Sequence, residues 1–288
     1  MQKNIARLAI LVLLCSCSKK DQTPSSGAGI DVDGGTSGPS GTWLTTITTP
    51  LPNDTTIETI HLNSDQTVAR INVAESTLGG VLNADTIYYS SILPVYSGGR
   101  LTAVQFALDT VSATGTVVRT FDYTPGGLLQ RIQYDPGTPA YAYDSVVTGA
   151  GGLMAMCYHF ATTSGVLAEQ SYESFSWGAG NNLQSILVST IDPTNGSVSD
   201  LTVTYTYDGF YNPYKTVRDL PFLLGSIADE LTALSAGNPL SATLVGYNAA
   251  NNYAYQYNPN NLPASQNVEV LQQGSIKQST FVYFAYNH

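Results

Sequence analysis

One motif restricts this chain more than any other feature. It is a pair of aromatic or β-branched residues spaced by one, then a Gly- or Asn-rich turn, then an apolar residue. The copies are Val95-Tyr-Ser-Gly-Gly-Arg-Leu101, Phe121-Asp-Tyr-Thr-Pro-Gly-Gly-Leu128, Val147-Thr-Gly-Ala-Gly-Gly-Leu153, Phe175-Ser-Trp-Gly-Ala-Gly-Asn-Asn-Leu183, Tyr205-Thr-Tyr-Asp-Gly-Phe-Tyr-Asn-Pro213 and Tyr255-Gln-Tyr-Asn-Pro-Asn-Asn-Leu262. A weaker copy, Ile60-His-Leu-Asn-Ser-Asp-Gln-Thr-Val68, precedes them, and the spacing is roughly 25 to 30 residues until a longer last interval.

Each copy reads as a β-hairpin. Aromatic and β-branched residues alternating with polar ones favour a strand with one packed face, and Gly and Asn accept the positive φ of a tight turn. A single hairpin is marginal, so stability must come from stacking the repeats side by side. The predicted fold is therefore all-β, an antiparallel meander of consecutive hairpins over residues 42–288, forming a curved open sheet or a partial barrel. The 19 tyrosines against 2 tryptophans suit such a sheet, with rings packed and hydroxyls wet. One helix is predicted near residues 220–236. Asp219 stands as its cap, Pro221 suits its first turn, Gly237-Asn238-Pro239 stops it, and Leu220, Leu223, Leu224, Ile227, Leu231 and Leu234 recur at helical spacing. That apolar face is expected to plug the concave side or one end of the sheet.

The N-terminus reads as an export signal rather than as part of the fold. Lys3 and Arg7 precede the apolar run Leu8–Leu14, far short of the about 20 residues that span a bilayer. The run ends in Leu14-Cys15-Ser16-Cys17, which resembles the bacterial lipobox. That resemblance implies removal of residues 1–16 and acylation of Cys17, so that the chain is attached to a membrane by lipid. Residues 17–41 carry almost no apolar content and read as a flexible tether.

Charge excludes several partners. Four of the eleven cations lie at the N-terminus, leaving Arg70, Arg100, Arg119, Arg131, Lys215, Arg218 and Lys277 scattered through the rest of a chain of net charge −10. They form no stripe for a nucleic-acid backbone, and an acidic surface repels anionic lipid headgroups.

Sites for chemistry are sparse. His61, His159 and His288 occur singly, no zinc-ligand spacing is present, and neither a nucleophile elbow nor a phosphate loop is found. Cys157, the one thiol left after lipidation and cleavage, sits in the apolar strand Met154–Phe160 and reads as a small core residue, although His159 shares its strand face. Glu169 and Glu173 are expected on one solvated face. Asp192 to Asp200 reads as a turn before it reads as a calcium loop. No catalytic residue, cofactor or metal ligand is expected. Asp54-Thr55-Thr56, Asp85-Thr86-Ile87, Asp109-Thr110-Val111 and Asp144-Ser145-Val146 are similar to the O-glycosylation sequon of Bacteroidetes, which implies sugar on Thr55, Thr86, Thr110 or Ser145.

The turn motifs themselves resemble YD repeats of Rhs-type shells, through Tyr205-Thr-Tyr-Asp-Gly and Phe121-Asp-Tyr-Thr-Pro-Gly-Gly-Leu128. The order Tyr207-Asp208, Asn212-Pro-Tyr-Lys215, a helix, Asn251-Asn252 and Tyr255–Pro263 is similar to that of uncharacterised Bacteroidetes lipoproteins. The resemblance implies a lipid-anchored outer-membrane protein, on the periplasmic or the cell-surface side, and transfers no catalytic residue. The resulting expectation is a non-catalytic envelope module that binds a protein or glycan through its Tyr-rich face or turn tips. The alternative is a polysaccharide hydrolase with carboxylates from separate hairpins.

Overall fold

Sixteen strands follow one another around the molecule, each pairing with its neighbours in sequence, and the last returns to the first. The computed structural model describes residues 41–51, 54–77, 86–139, 141–163, 165–225 and 231–287. The strands are β1 (Leu44–Pro50), β2 (Asp54–Leu62), β3 (Val68–Thr77), β4 (Thr86–Ser97), β5 (Arg100–Ala107), β6 (Thr116–Tyr123), β7 (Leu129–Tyr134) and β8 (Ala142–Thr148). They continue as β9 (Met154–Thr163), β10 (Val166–Trp177), β11 (Leu183–Ile191), β12 (Val198–Tyr207), β13 (Pro239–Leu244), β14 (Ala249–Tyr257), β15 (Pro263–Gln272) and β16 (Ser275–Tyr286). The predicted meander is present, but it closes. Ile47 of β1 lies opposite Phe284 of β16, and Trp43 N–H donates to Asn287 Oδ1 at 2.6 Å. The expected open sheet or partial barrel is thus corrected to a closed barrel, in which no edge strand is left unpaired.

All seven motif turns, together with both ends of the described chain, lie at one end of the barrel. Every one of these hairpins slips register just before its turn, at Leu62, Tyr96, Tyr123, Thr148, Trp177, Tyr207 and Tyr257. In each the extra residue lies on the strand that follows the turn, and the residue at the slip is aromatic in five of the seven, Tyr96, Tyr123, Trp177, Tyr207 and Tyr257. Tyr123 Oη donates to Leu101 O at 2.8 Å, Trp177 Nε1 to Met154 O at 2.6 Å and Tyr286 Oη to Pro263 O at 2.8 Å. Each ties its hairpin to the start of a strand in the preceding one, so the expectation of wet hydroxyls is corrected. Backbone geometry follows the turn chemistry. Gly98 and Gly99 both have positive φ in the two-residue β4–β5 turn, and Asn261 takes φ 58° where a Gly is the usual choice.

The segment between β12 and β13 folds back into this end as a plug. Where a helix is predicted near 220–236, the described residues form a five-residue helix α1 (Leu220–Leu224), ended by extended backbone at Gly225, and a 3-10 turn over Leu231–Leu234, a correction to a single continuous helix. Residues 226–230, Ile227 among them, lie outside the described residues. Asp219 holds the cap position with φ 61° and makes no side-chain cap hydrogen bond. The expectation that the apolar residues here plug the sheet holds: Leu220, Phe222, Leu223 and Leu234 are buried with the inward-facing residues of the strands. Phe222 meets Phe121 and Tyr214 meets Phe284 edge-on, with centroids 6.3 and 5.9 Å apart. Arg119 of β6 donates to the Phe222 and Leu223 carbonyls at 2.9 Å and also to that of Gly225. Leu44 N–H donates to Thr216 Oγ1 at 3.0 Å and Leu183 N–H to Ser235 Oγ at 3.2 Å. These contacts occupy backbone groups that a plain barrel rim would leave to water.

Candidate functional site

Strand pleating and register decide what the lumen contains. Opposed residues share a face, so Glu58, Val73, Ser90, Ile92 and Val104 follow from one another as inward positions. Away from the plug these residues enclose an open cavity of about 960 Å³. It is lined by Thr56 and Glu58 of β2, Val73 and Glu75 of β3, Tyr88 to Ser90 of β4, Phe106 of β5, Arg119 of β6 and the Leu108–Val111 loop. Tyr88, on the inner face two residues from Ser90, is 62% exposed, which leaves its ring face available to a ligand.

Glu58 and Glu75 are diagonal neighbours on the inner face, since Glu58 opposes Val73 and Glu75 opposes Thr56. Such neighbours have Cβ atoms about 7 Å apart. Burial, and then the negative charge of Glu75, push the Glu58 carboxyl up from 4.5 to about 7. The lumen therefore holds a carboxylic acid beside a second carboxyl group. Neither residue stood out in the sequence, because each is one acid among many on a strand.

A second polar cluster lies on β8, β9 and β10. Asp144 opposes His159, and Cys157 opposes Glu173, all facing inward. His159 Nδ1 is 2.6 Å from Asp144 Oδ1, its Nε2 is 3.4 Å from Glu173 Oε2, and Tyr134 Oη donates to Asp144 Oδ2. Burial works to lower the His159 pKa, but hydrogen bonding and charge from Asp144 and Glu173 outweigh it and hold the imidazole up at about 10. Burial and then the charges of Asp144 and Glu173 push the Cys157 thiol well up. The register slip at Gln170 sends Glu169 outward and Glu173 inward. The expectation that both acids share one solvated face is corrected, and Glu173 is 6% exposed.

The other sequence-predicted positions are not brought together. Thr55 and Ser145 are on β2 and β8, Thr86 begins β4, and Thr110 sits in the β5–β6 loop, where its carbonyl accepts from Arg70. Asp109 accepts from Val111 N and Ser112 N at 2.8 and 2.6 Å, a local turn role for that residue. Asp192 likewise accepts from Thr194 N at 2.8 Å within its own turn. Cys17, the signal segment and nearly all of the tether lie outside the described residues, as does His288.

Fold and lumen together define a closed sixteen-stranded antiparallel β-barrel plugged at one end and hollow at the other. A crystal structure of a porin-like protein from Bacteroides uniformis is similar, with TM-score 0.57 and 11% identity over 84% of this chain and 96% of that one. A porin-like protein from Bacteroides vulgatus also matches at 11% identity, covering 85% of this chain and 99% of that one, with TM-score 0.36. At such identity the first likeness establishes the barrel fold alone. No family model and no curated protein matches the sequence.

Proposed function

We propose that this protein is a lipid-tethered, non-catalytic binding module of the cell envelope that takes a glycan segment into the open end of its lumen. The observation that carries the reading is the cavity of about 960 Å³, at the upper end of the range typical of small-ligand sites. Tyr88 and Phe106 offer ring faces, and Thr56, Glu58, Ser90 and Glu75 offer hydrogen-bonding groups. The acidic pair and the net charge of −10 favour a neutral sugar over a polyanion. The motif tyrosines, expected to form the binding face, instead brace the plugged rim, so the binding surface moves to the opposite end.

Part of the outer wall supports a barrel held beside a membrane rather than across it. A membrane-spanning barrel presents an apolar outward band about 25 Å tall. On β12, β14 and β15 polar outward positions interrupt any such band, with Asp200, Thr202, Thr204 and Thr206, Asn252 and Gln256, and Ser265, Asn267 and Glu269, while Ile57, Ile87, Tyr89, Leu187, Phe281 and Tyr283 are exposed apolar outward residues on other strands. Attachment then falls to a lipid on Cys17, on the outer membrane. Sugar on Thr55, Thr86, Thr110 or Ser145 remains part of this proposal.

The Glu58–Glu75 pair favours one second reading, a glycoside hydrolase, which requires two carboxyl groups about 5 to 10 Å apart with one of them protonated. A single experiment addresses both. The full chain is titrated with a panel of neutral oligosaccharides while reducing ends are measured. Saturable binding that weakens at least tenfold in Tyr88→Ala, with no release of reducing ends, supports the binding module. Release that Glu58→Gln and Glu75→Gln each abolish would make the protein a hydrolase. No binding and no release across the panel would end the glycan reading.

A further inference from the structure

The Asp144–Cys157–His159 cluster stands apart from the cavity and has a composition that packing does not require. Asp144 and Glu173 are 4% and 6% exposed, and Cys157 is fully enclosed. Two buried carboxyl groups flank one imidazole, so the cluster has more acidic side chains than basic ones to pair with them. Glu173 Oε2 and His159 Nε2 are buried and share one long contact of 3.4 Å, and neither has another hydrogen-bond partner among the described residues. One donor atom each from Asp144, Cys157 and His159 all lie within 4.8 Å of one another.

We propose that Asp144, Cys157 and His159 form a binding site for a zinc-class divalent metal ion on the inner wall of the barrel. The donor set is one carboxylate oxygen, one thiolate sulfur and one imidazole nitrogen, which suits zinc or cobalt and does not suit magnesium or calcium. His159 Nδ1 faces Asp144 and is the ligating nitrogen. Nε2–H then donates to Glu173, completing the carboxylate–histidine–metal arrangement that fixes an imidazole for coordination. Tyr134 Oη, donating to Asp144 Oδ2, orients the other carboxylate oxygen toward the ion.

Ligands bound at about 2.0 to 2.1 Å in a tetrahedron lie roughly 3.3 Å apart, so Nδ1 and Oδ1 must separate from their 2.6 Å contact by under 1 Å. A thiolate at about 2.3 Å from the ion lies roughly 3.6 Å from the other two donors, so Cys157 Sγ, within 4.8 Å of them, closes by about 1 Å at most. Three protein ligands leave the fourth position of a tetrahedral ion for water. Charge also balances. The ion brings two positive charges, the thiol and the imidazolium each release a proton on binding, and the cluster's net charge is unchanged.

The test is cobalt substitution of the full chain, freed of metal by a chelator. One equivalent of Co²⁺ should bind with visible tetrahedral bands and a near-ultraviolet thiolate-to-cobalt band, and Zn²⁺ should displace it. Cys157→Ser should lose the thiolate band, Asp144→Asn should weaken uptake at least tenfold, and Glu173→Gln should weaken it about tenfold. Should a variant fail to fold, the wild-type spectrum still decides. Absence of stoichiometric uptake by the folded wild-type chain, or a cobalt spectrum without a thiolate band, overturns the site.

Discussion

The two ends of the barrel are built from the same strands and behave differently. Toward the plug, β16 alternates strictly, with Thr280, Val282 and Phe284 buried and Phe281 and Tyr283 exposed; toward the open end, Ser275–Ser279 are all exposed. β10 shows the same gradient, exposed at Val166–Ala168 and buried at Glu173 and Phe175. The repeat supplies inward side chains throughout. What changes is whether another part of the chain meets them, and only at one end does the β12–β13 segment do so. Stability is therefore concentrated at the plugged end, while the inward side chains of the open end remain free for a ligand.

The largest test of that contrast removes a pin of the plug. Asn212 is fully buried. Its Nδ2 donates to Ala233 O and Ser235 O at 3.1 and 2.8 Å, and its Oδ1 accepts from Tyr214 N at 2.8 Å. Asn212→Ala should cost about 4 kcal/mol and lower Tm by roughly 10 °C, whereas Tyr88→Ala at the open end should leave Tm almost unmoved. Equal shifts in thermal melts would erase the contrast.

A smaller effect sharpens it from the open side. Glu58 binds its proton more tightly in the folded chain, up to about 7 from 4.5. Its contribution to stability is thus fully present below pH 4.5 and is lost as pH rises through about 7. Glu75, Tyr88, Tyr89, Asp109 and Arg119 are the other ionisable groups lining the cavity. Denaturant melts should show a loss of about 2 kcal/mol between pH 4.5 and 7, and Glu58→Gln should flatten that slope. A wild-type curve already flat there would mean that Glu58 is freely solvated.

The smallest expected effect concerns the rim. Tyr123→Phe removes only the hydroxyl that donates to Leu101 O, and should cost about 1 kcal/mol in chemical denaturation. A neutral substitution would mean that the ring alone makes the brace.

Much of the fold was legible because its signals are local. The alternation in Tyr205-Thr-Tyr207 and the Gly98-Gly99 turn announce strand and hairpin to their immediate neighbours in the chain. Local signals also mislead: leucine spacing predicts one amphipathic helix, whereas the helix ends after Leu224, where Gly225 has extended backbone. The candidate sites were not legible. Asp144, His159 and Glu173 come from three strands, and Glu58 and Glu75 from two, so neither group has a spacing that sequence could display. Glu173 was misplaced because one extra residue at Gln170 reverses the face of everything beyond it.

The sequence alone determined the strand-and-turn rhythm and the alternation of packed and exposed side chains, since these depend on side-chain pattern and backbone preference over a few residues. Only the tertiary structure decided that the sheet closes, which end is plugged and which carboxylates meet in the lumen. Those outcomes rest on the register between strands and on the pairing of β1 with β16, contacts between residues far apart in the chain that no local pattern specifies.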